Sequence, residues 1–502
     1  MVRSLRILSW NIAAVNNNPF EYFIHYPISN EYDRLMQDVE TFVETPGDAD
    51  VLVRDVFTDS MFAELKELML AEGWSGLDAT ETYWVENLKE RKIMTDFIKD
   101  KALGSKRLAS MPDRVTNTIN TLDQGTIHRP TVISCSRLDM TQMDSWWAAW
   151  KTFMFETQVQ VTGKGGKVLH SKPCGLLPTI KKDKYPAVTE EEEAMSIPLQ
   201  ALCMGIFDAI LVHMLNTLSP TGGWQQLKEA IIENIYSKKG ARIMQLLSET
   251  YAETDVILLQ EVQTELPKAL RASSLGDIYH IIEPKAPSAV DQNSVIMLRK
   301  DAFEVSGDLT ADAMAAVEKQ GAISDGDLIV AAATGVDGRS FVFASFHGDT
   351  DGLCTEHALK AVHTVTAATP GLILVVGIDA NCYENPTPGK QLGAEDFGLL
   401  FRELGWSSCW GDVASVSNYT TYCARTFLQP QLQKASRMAD KAKNGDINPK
   451  DYILFSKGSL KLDGKATKDN TGNKEYLEGV VFPSLSFPSD HAIVSCTLDL
   501  IE

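Results

Sequence analysis

Three absences narrow this chain before any motif is read. It has no excess of positive charge: 47 Lys and Arg stand against 67 Asp and Glu, a formal charge of −20 over 502 residues. That argues against a broad cationic surface for gripping duplex nucleic acid, where basic side chains release phosphate counterions. A local basic patch is still compatible with it, and an acidic shell also serves solubility. It has no CxxC pair among Cys135, Cys174, Cys203, Cys354, Cys382, Cys409, Cys423 and Cys496, so a zinc ribbon is not expected. In a long chain with no secretory leader these read as reduced, mostly buried thiols. It also lacks a clean membrane span. The longest apolar run, SIPLQALCMGIFDAILVHMLNTL, contains Asp208 and His213 and has no flanking charges, so a buried helix is expected there. The opening MVRSLRILSWNI is strand-like and not a signal peptide. With no lipidation motif either, the protein is expected to be soluble and cytoplasmic, without stable membrane insertion.

What is present falls into three textures. Hydrophobic content of 44% and charged content of 23% are those of a packed globular chain, long enough for two domains or for one domain with a big insertion. LRILSWNI alternates like a half-buried strand. From about 19 to 250 the pattern is mainly helical, as in DSMFAELKELMLAEG and GWQQLKEAIIENIYSKKGARIMQLLSETYAE, whose apolar residues recur every three or four positions. Within this region VQVTGKGGKVLHSKPCG reads as a hairpin with a glycine turn, followed by a loop, KKDKYPAVTEEEEA. No internal repeat is evident. From Asp255 onward short apolar strands dominate: DVILLQEV, SVIMLRKD, LIVAAATG, SFVFASFHG, GLILVVGIDAN, DYILFSKG and HAIVSCTLDL. TEHALKAVHTVTAATPG reads as a helix ended by Pro370 and Gly371. Many strands with a few crossover helices imply a layered α/β domain. The N-terminal strand is expected to join its sheet, giving segments 1–18 and 251–502 of the catalytic α/β domain around an insertion at 19–250. The domain without the insertion then has roughly 270 residues, a normal single-domain size.

Six of these segments carry metal- or phosphate-binding residues at a strand end: Asn11 in SWNI, Glu261 in LLQEV, His347 in SFHGD, Asp379 and Asn381 in GIDAN, Asp451 in KDYIL, and Asp490 with His491 in PSDHA. Side chains in such places gather at one edge of an open α/β sheet, where sites are usually built. Taken singly each has a plain structural explanation. Asp379 and Asn381 suit a turn, Glu261 a solvated strand end, Asp490 and His491 a loop cap, and His347 a satisfied structural histidine. Their joint appearance in this order is what points to chemistry.

The ordered set WN, QE, SFH, GIDAN, DYI and SDH resembles the endonuclease/exonuclease/phosphatase (DNase-I-like) superfamily over the N-terminal strand and the residues after about 251. The resemblance implies a four-layer α/β sandwich, two packed β-sheets flanked by helices, here with a large mainly α-helical insertion that is no part of the common fold. It implies a metal-dependent phosphoric ester hydrolase. Glu261 would be the principal carboxylate on Mg²⁺ (Mn²⁺ as a substitute), with Asn11 holding the metal or its water and Asp490 close by. Magnesium often takes only one or two protein carboxylates. Asp379 would orient and deprotonate the attacking water, and Asn381 would donate to the substrate phosphate. His347 and His491 would stabilise charge in the transition state, with Asp451 fixing the His491 ring and keeping it protonated.

The chain departs from the superfamily's familiar branches. GIDAN has Ile378 between Gly377 and Asp379, which keeps the D-x-N spacing but alters the local turn. The inositol 5-phosphatase signatures are absent, and His347 is unlike abasic-site endonucleases. Around the motifs, HGDTDGLCTEH suits a loop over the substrate. There Asp349 or Asp351 would either add a second metal site or cap the loop, the latter being preferred. Arg425 is a candidate to bind a further phosphate, as is Lys434, though both also suit a surface. YWVENLKERKIMTDFIKDKALGSKR reads as a mixed-charge helical stretch. Trp146, Trp147 and Trp150 form either an aromatic wall or, more in keeping with such clusters, core. Because the insertion leaves directly after Asn11, it is expected at the catalytic rim as a lid or wall. The substrate is expected to be a phosphodiester or phosphomonoester, either a small molecule or single-stranded nucleic acid. A DNA or RNA nuclease is the alternative, favoured if the lysines between 164 and 184 form a track to the site. A catalytically weak scaffold that binds partners through the insertion is the reading from another class.

Overall fold

The computed structural model describes residues 4–14, 16–163, 166–288, 291–319, 321–367, 371–412 and 416–501. Its centre is a pair of six-stranded sheets. In the first, the order is Leu460–Asp469, Ile493–Leu500, Ser4–Asn11, Val256–Val262, Asn293–Arg299 and Tyr279–Ile282. In the second it is Trp406–Ser408, Asp451–Ser456, Ile373–Asp379, Ser340–His347, Leu328–Gly335 and Phe303–Asp308. The N-terminal strand sits inside the first sheet, parallel to Val256–Val262 and antiparallel to Ile493–Leu500. A strand whose every residue after Arg6 is buried can satisfy its backbone and cover both faces only in such a central position.

The layers follow from the alternation of side chains along each strand. Leu5, Ile7, Leu258 and Ile296 of the first sheet meet Phe341, Phe343, Val375 and Ile453 of the second in a shared core. The opposite face of the second sheet packs on helices Thr355–Ala367 and Ala394–Glu403, through Leu359, Val362, Phe397 and Phe401. The outer face of the first packs on Glu265–Ala272 and on Ile243, Leu246 and Leu247. The result is the four-layer sandwich, helices outside and two sheets within. Gly377 explains the GIDAN spelling. A Cβ there would lie 2.5 Å from Leu258 Cβ and 2.8 Å from Ser9 Oγ, so only glycine lets the sheets approach at this point.

The strand segments read from the sequence all form strands. Six further strands were not read: Thr118–Asn120 and Thr126–His128, which form a small two-stranded sheet within the insertion, and Tyr279–Ile282, Phe303–Asp308, Trp406–Ser408 and Leu460–Asp469. Each is a sheet edge or lies next to one, and LKLDGKATKD is largely polar because only part of it faces the core. The helix at Thr355–Ala367 forms; its expected stop at Pro370 lies outside the described residues, as does the turn of the hairpin Val159–Thr162 with Val168–Ser171 at 164–165.

The insertion has a core of its own around Ser196–Leu218, a helix buried along most of its length by its neighbours. That helix is long and apolar enough to cross a membrane, but 78% of its apolar window is covered by protein. Two of the helical stretches are interrupted, and one loop reading needs correcting. The stretch from Gly223 to Thr250 is not one helix but breaks at Lys238. Trp224, Leu227 and Ile231 face the insertion core, whereas Ile243, Leu246 and Leu247 face the first sheet. One apolar stripe therefore serves two cores, and the packing changes hands near Lys238, ahead of residue 250. The stretch after Tyr83 is likewise interrupted, at Lys92 and Asp100, both extended. In KKDKYPAVTEEEEA the last residues are helical, Glu190–Ala194, begun by a capping box of Thr189 and Glu192. The tryptophans are core: Trp146, Trp147 and Trp150 are buried, and the Trp150 indole donates to Asp208 at 2.9 Å.

Candidate active site

Strand register brings the predicted residues together. His347 lies opposite Asp379, and Asp379 opposite Asp451, across three neighbouring strands. In the other sheet Asn11 pairs with Gln260, next to Glu261. The bulge between Leu259 and Val262 puts Glu261 at φ +54°, and Asn381 stands at φ +47°. Left-handed backbone is uncommon for a residue such as Glu261, whereas asparagine adopts it readily, and bulges re-aim side chains beside sites.

Asp379 is the hub. Its Oδ2 accepts from Asn11 Nδ2 at 2.9 Å and lies 3.8 Å from both His347 Nε2 and His491 Nε2. The Asn381 backbone N–H donates to Asp379 Oδ1 at 2.9 Å. Glu261 stands alongside, with Oε1 3.2 Å from His347 Nε2 and 3.0 Å from Asn11 Nδ2, while Oε2 accepts from the Ala14 N–H at 2.7 Å. Asn11 turns its NH₂ to both carboxylates, and its oxygen accepts from the Ala13 N–H. It thus braces the two carboxylates. On the far side His491 Nδ1 bonds Asp451 Oδ2 at 2.9 Å. Asp451 is in turn held by the Thr420 hydroxyl. Ser489 links the His491 loop to the first strand by donating to the Asn11 carbonyl at 2.7 Å.

The electrostatics follow from these contacts. Burial opposes a charge on His347, but Glu261 and then Asp379 outweigh it and lift its pKa to about 9. Burial likewise opposes the charge on His491, and Asp451, then Asp379, raise its pKa well above the usual value. In both cases the neighbouring carboxylates favour the charged imidazole. Glu261 is pushed up by burial and pulled down further by His347, for a net fall.

Asp379, Asn381, Glu261, His347, His491, Asp490 and Arg425 line one cavity of about 630 Å³, with Asn11 and Asp451 supporting it from behind. Asp349 also lines it, but its carboxylate caps the loop by accepting from the Cys354 N–H at 2.8 Å. Asp351 accepts from Gln391. Neither belongs to a group of three metal-ligating side chains among the described residues, whereas Glu261, His347 and Asp379 do. The described lysines between 167 and 184 do not line the cavity, and Lys172 and Lys182 pair with Glu72 and Glu190; Lys164 lies outside the described residues.

Several lining residues had no signal in the sequence. Glu21, Tyr22, Tyr236 and Lys239 come from the segment 19–250, which places that segment at the catalytic rim. Lys239 donates to the Ala13 carbonyl, and burial draws its pKa down to about 8 against the pull of Asp490 and Glu261. Lys450, next to Asp451, is buried and bonds Asp446 at 2.7 Å. Amphipathic lysines of this kind look in sequence like any surface lysine.

With this geometry in hand, the chain can be set beside known proteins. A family model described as a domain of unknown function (DUF8234) matches residues 50–229, inside the helical insertion. No curated protein matches the chain. Similar solved structures include D. rerio TDP2 complexed with single strand DNA product, 16% identical, covering 53% of this chain and 96% of that one with a TM-score of 0.35. The human Nocturnin catalytic domain, with bound sulfate anion, is 18% identical, covering 52% of this chain and 87% of that one, with a TM-score of 0.33. An endonuclease/exonuclease/phosphatase from Bacteroides vulgatus is 15% identical over 53% and 93%, TM-score 0.35. The fold assignment rests on the strand order and layer contacts above.

Proposed function

We propose that the protein is a divalent-metal-dependent phosphoesterase that hydrolyses a phosphodiester or phosphomonoester by attack of water. The observation that carries this reading is the setting of Asp379, whose Oδ2 lies within 3.8 Å of the His347 and His491 imidazoles and is bonded to Asn11. A carboxylate held among hydrogen-bond donors and facing a cavity is suited to take a proton from water.

The donor set fits a hard cation. Glu261 and Asp490 offer carboxylate oxygens to the cavity, the ligand type magnesium and manganese take. Bound there, the ion would polarise the phosphoryl group and assist the leaving oxygen. The chain's own residues do the rest. Asn11 holds Glu261 and Asp379 in fixed relation. Asp379 orients the water and accepts its proton. His347 and His491 donate to non-bridging oxygens as charge grows on them, and preorganised donors of this kind contribute about 3 kcal/mol each. Asp451 keeps His491 oriented and charged. Asn381 and Lys450 supply further donors from the cavity wall. Glu21, Tyr22 and Tyr236 of the insertion restrict what enters.

A nuclease acting on single strands is the second reading. It is favoured by a larger neighbouring cavity, joined through Tyr22, Arg425 and Asp446 and lined by Tyr383, Tyr419 and Tyr422. Aromatic rings of this kind serve as stacking platforms for bases.

The test is turnover by the full chain with Mg²⁺ or Mn²⁺. The panel holds a generic phosphodiester, a phosphomonoester, single- and double-stranded nucleic acids and inositol phosphates, with Glu261→Ala alongside. Metal-dependent turnover lost in the variant supports the reading and sorts phosphatase from nuclease. Turnover that persists in Glu261→Ala or in EDTA refutes it. Silence on every substrate, with no metal binding by calorimetry, favours a scaffold.

A further inference from the structure

A cavity of about 810 Å³ lies between the insertion and the segment 427–433 of the catalytic domain. Phe97, Leu103, Leu108 and Phe207 form its floor, all buried in the insertion core. Phe207 belongs to the long apolar helix Ser196–Leu218. Phe427 and Leu432 form the facing wall, and both are only partly buried. None of the residues lining this cavity lines the catalytic one, and Arg425 and Lys434 lie outside it. A concave space of this volume with a mainly apolar lining is the usual setting of a small-molecule site.

The edge of the cavity has the opposite character. Lys99, Lys101, Arg107 and Lys184 stand around it, with Lys101 and Lys184 exposed. Two acids line it as well, and each already has a cation: Glu44 meets Lys99 at 3.4 Å, and Asp100 meets Arg91 at 2.6 Å. Lys101, Arg107 and Lys184 make no ion pair among the described residues. Three unanswered cations therefore surround one apolar cavity on a chain whose net charge is −20. A neutral apolar ligand would leave those cations unanswered, and a small anion would leave the floor wet. An apolar chain with an anionic head answers both. The chain removes the floor from water, and the head accepts charge-assisted bonds from the edge.

We propose that this cavity is a binding site for a single-chain anionic amphiphile, its aliphatic chain on Phe97, Leu103, Leu108 and Phe207 and its head among Lys101, Arg107 and Lys184. The site is separate from the catalytic cavity and does not depend on the phosphoesterase reading.

The experiment is calorimetry on the full chain with octanoate, dodecanoate and octanol, each kept below its micelle or solubility limit. The expected result is one ligand bound per chain. Dodecanoate should bind at least tenfold more tightly than octanoate, because four more methylenes leave water. Octanoate should bind about tenfold more tightly than octanol, the scale of a hydrogen bond to a charged group. The triple variant Lys101→Gln/Arg107→Gln/Lys184→Gln should cut the preference for octanoate over octanol to about twofold or less and leave octanol binding as it was. Removing exposed lysines elsewhere, Lys268→Gln/Lys360→Gln, should leave the preference intact, which separates a local site from overall charge. Ala109→Trp, at a half-buried position lining the cavity, should fill it and weaken dodecanoate at least tenfold; should that variant fail to fold, the triple variant decides. Absence of binding, or several ligands per chain, would overturn the proposal. So would a preference for octanoate that survives in the triple variant. Displacement of octanoate by excess inorganic phosphate with Mg²⁺, at constant ionic strength, would place the amphiphile in the catalytic cavity and equally overturn it.

Discussion

The insertion should depend for its stability on one buried ionic network. Asp208 sits in the middle of the helix Ser196–Leu218 with no exposure, as does its partner Arg129. Arg129 Nε bonds Asp208 Oδ2 at 2.8 Å, Thr131 donates to Oδ1 at 2.7 Å and Trp150 to Oδ2 at 2.9 Å. Arg129 also reaches Thr116 and Asp113, each at 2.7 Å. Asp208→Ala would leave a guanidinium in an apolar interior with only Asp113 to answer it, and strand the Thr131 and Trp150 donors. Breaking such a pair costs about 3–5 kcal/mol, and for a unit of 150–250 residues each kcal/mol lowers Tm by roughly 2–4 °C. Arg129→Met should cost a similar amount, while Arg129→Met/Asp208→Ala should cost less than the sum by about 2 kcal/mol, because neither Arg129 nor Asp208 is then left facing a missing partner and only Asp113 loses its cation. The assay is urea unfolding followed by tryptophan fluorescence, which reports this region because Trp84, Trp146, Trp147, Trp150 and Trp224 all lie in its core. A loss below about 1 kcal/mol for Asp208→Ala, or strictly additive single variants, would show that solvent reaches the pair and that the network is not what holds the helix.

Other consequences can be measured separately. Glu261→Gln, Asp379→Asn and His491→Gln should each lower kcat on the best substrate of the panel about a hundredfold or more, with unfolding midpoints little changed; near-normal turnover in any of them removes that residue from the mechanism. Gly377→Ala should lose about 1–3 kcal/mol by overpacking against Leu258 and Ser9, read as a lower Tm, and an unchanged Tm would mean the sheets can part there. Lys228 is buried, bonded to the Thr131 and Ser136 carbonyls at 2.9 Å, and burial brings its pKa down to about 7 from 10.5. Below pH 7 both folded and unfolded chains hold that proton and the burial penalty is felt in full. Between pH 7 and 10.5 only the unfolded chain holds it, so this group makes stability rise with pH, by at most about 1.4 kcal/mol per unit. Denaturant midpoints from pH 6.5 to 9 should therefore climb for the unmodified chain relative to Lys228→Met; parallel curves would refute the depressed pKa.

The sequence by itself determined the strands with buried faces, because a run such as ILVVGID or VILLQEV has no other way to satisfy its backbone and lose its apolar surface. It also marked the strand ends that the fold gathers around one cavity, since Glu261, His347, Asp379, Asp451 and His491 are polar residues at the margins of apolar runs. The edge strands were hidden because a strand with one wet face and one neighbour needs few apolar residues. The tertiary structure alone decided how the stripe from Gly223 to Thr250 divides between two cores, and that Asn11 turns its NH₂ to the carboxylates, since amide orientation is set by neighbours distant in sequence. It also decided that Tyr22, Tyr236 and Lys239 of the insertion wall the site. Periodicity encodes which face of an element is buried; what that face meets, and which charges come together across the chain, is fixed only when the layers pack.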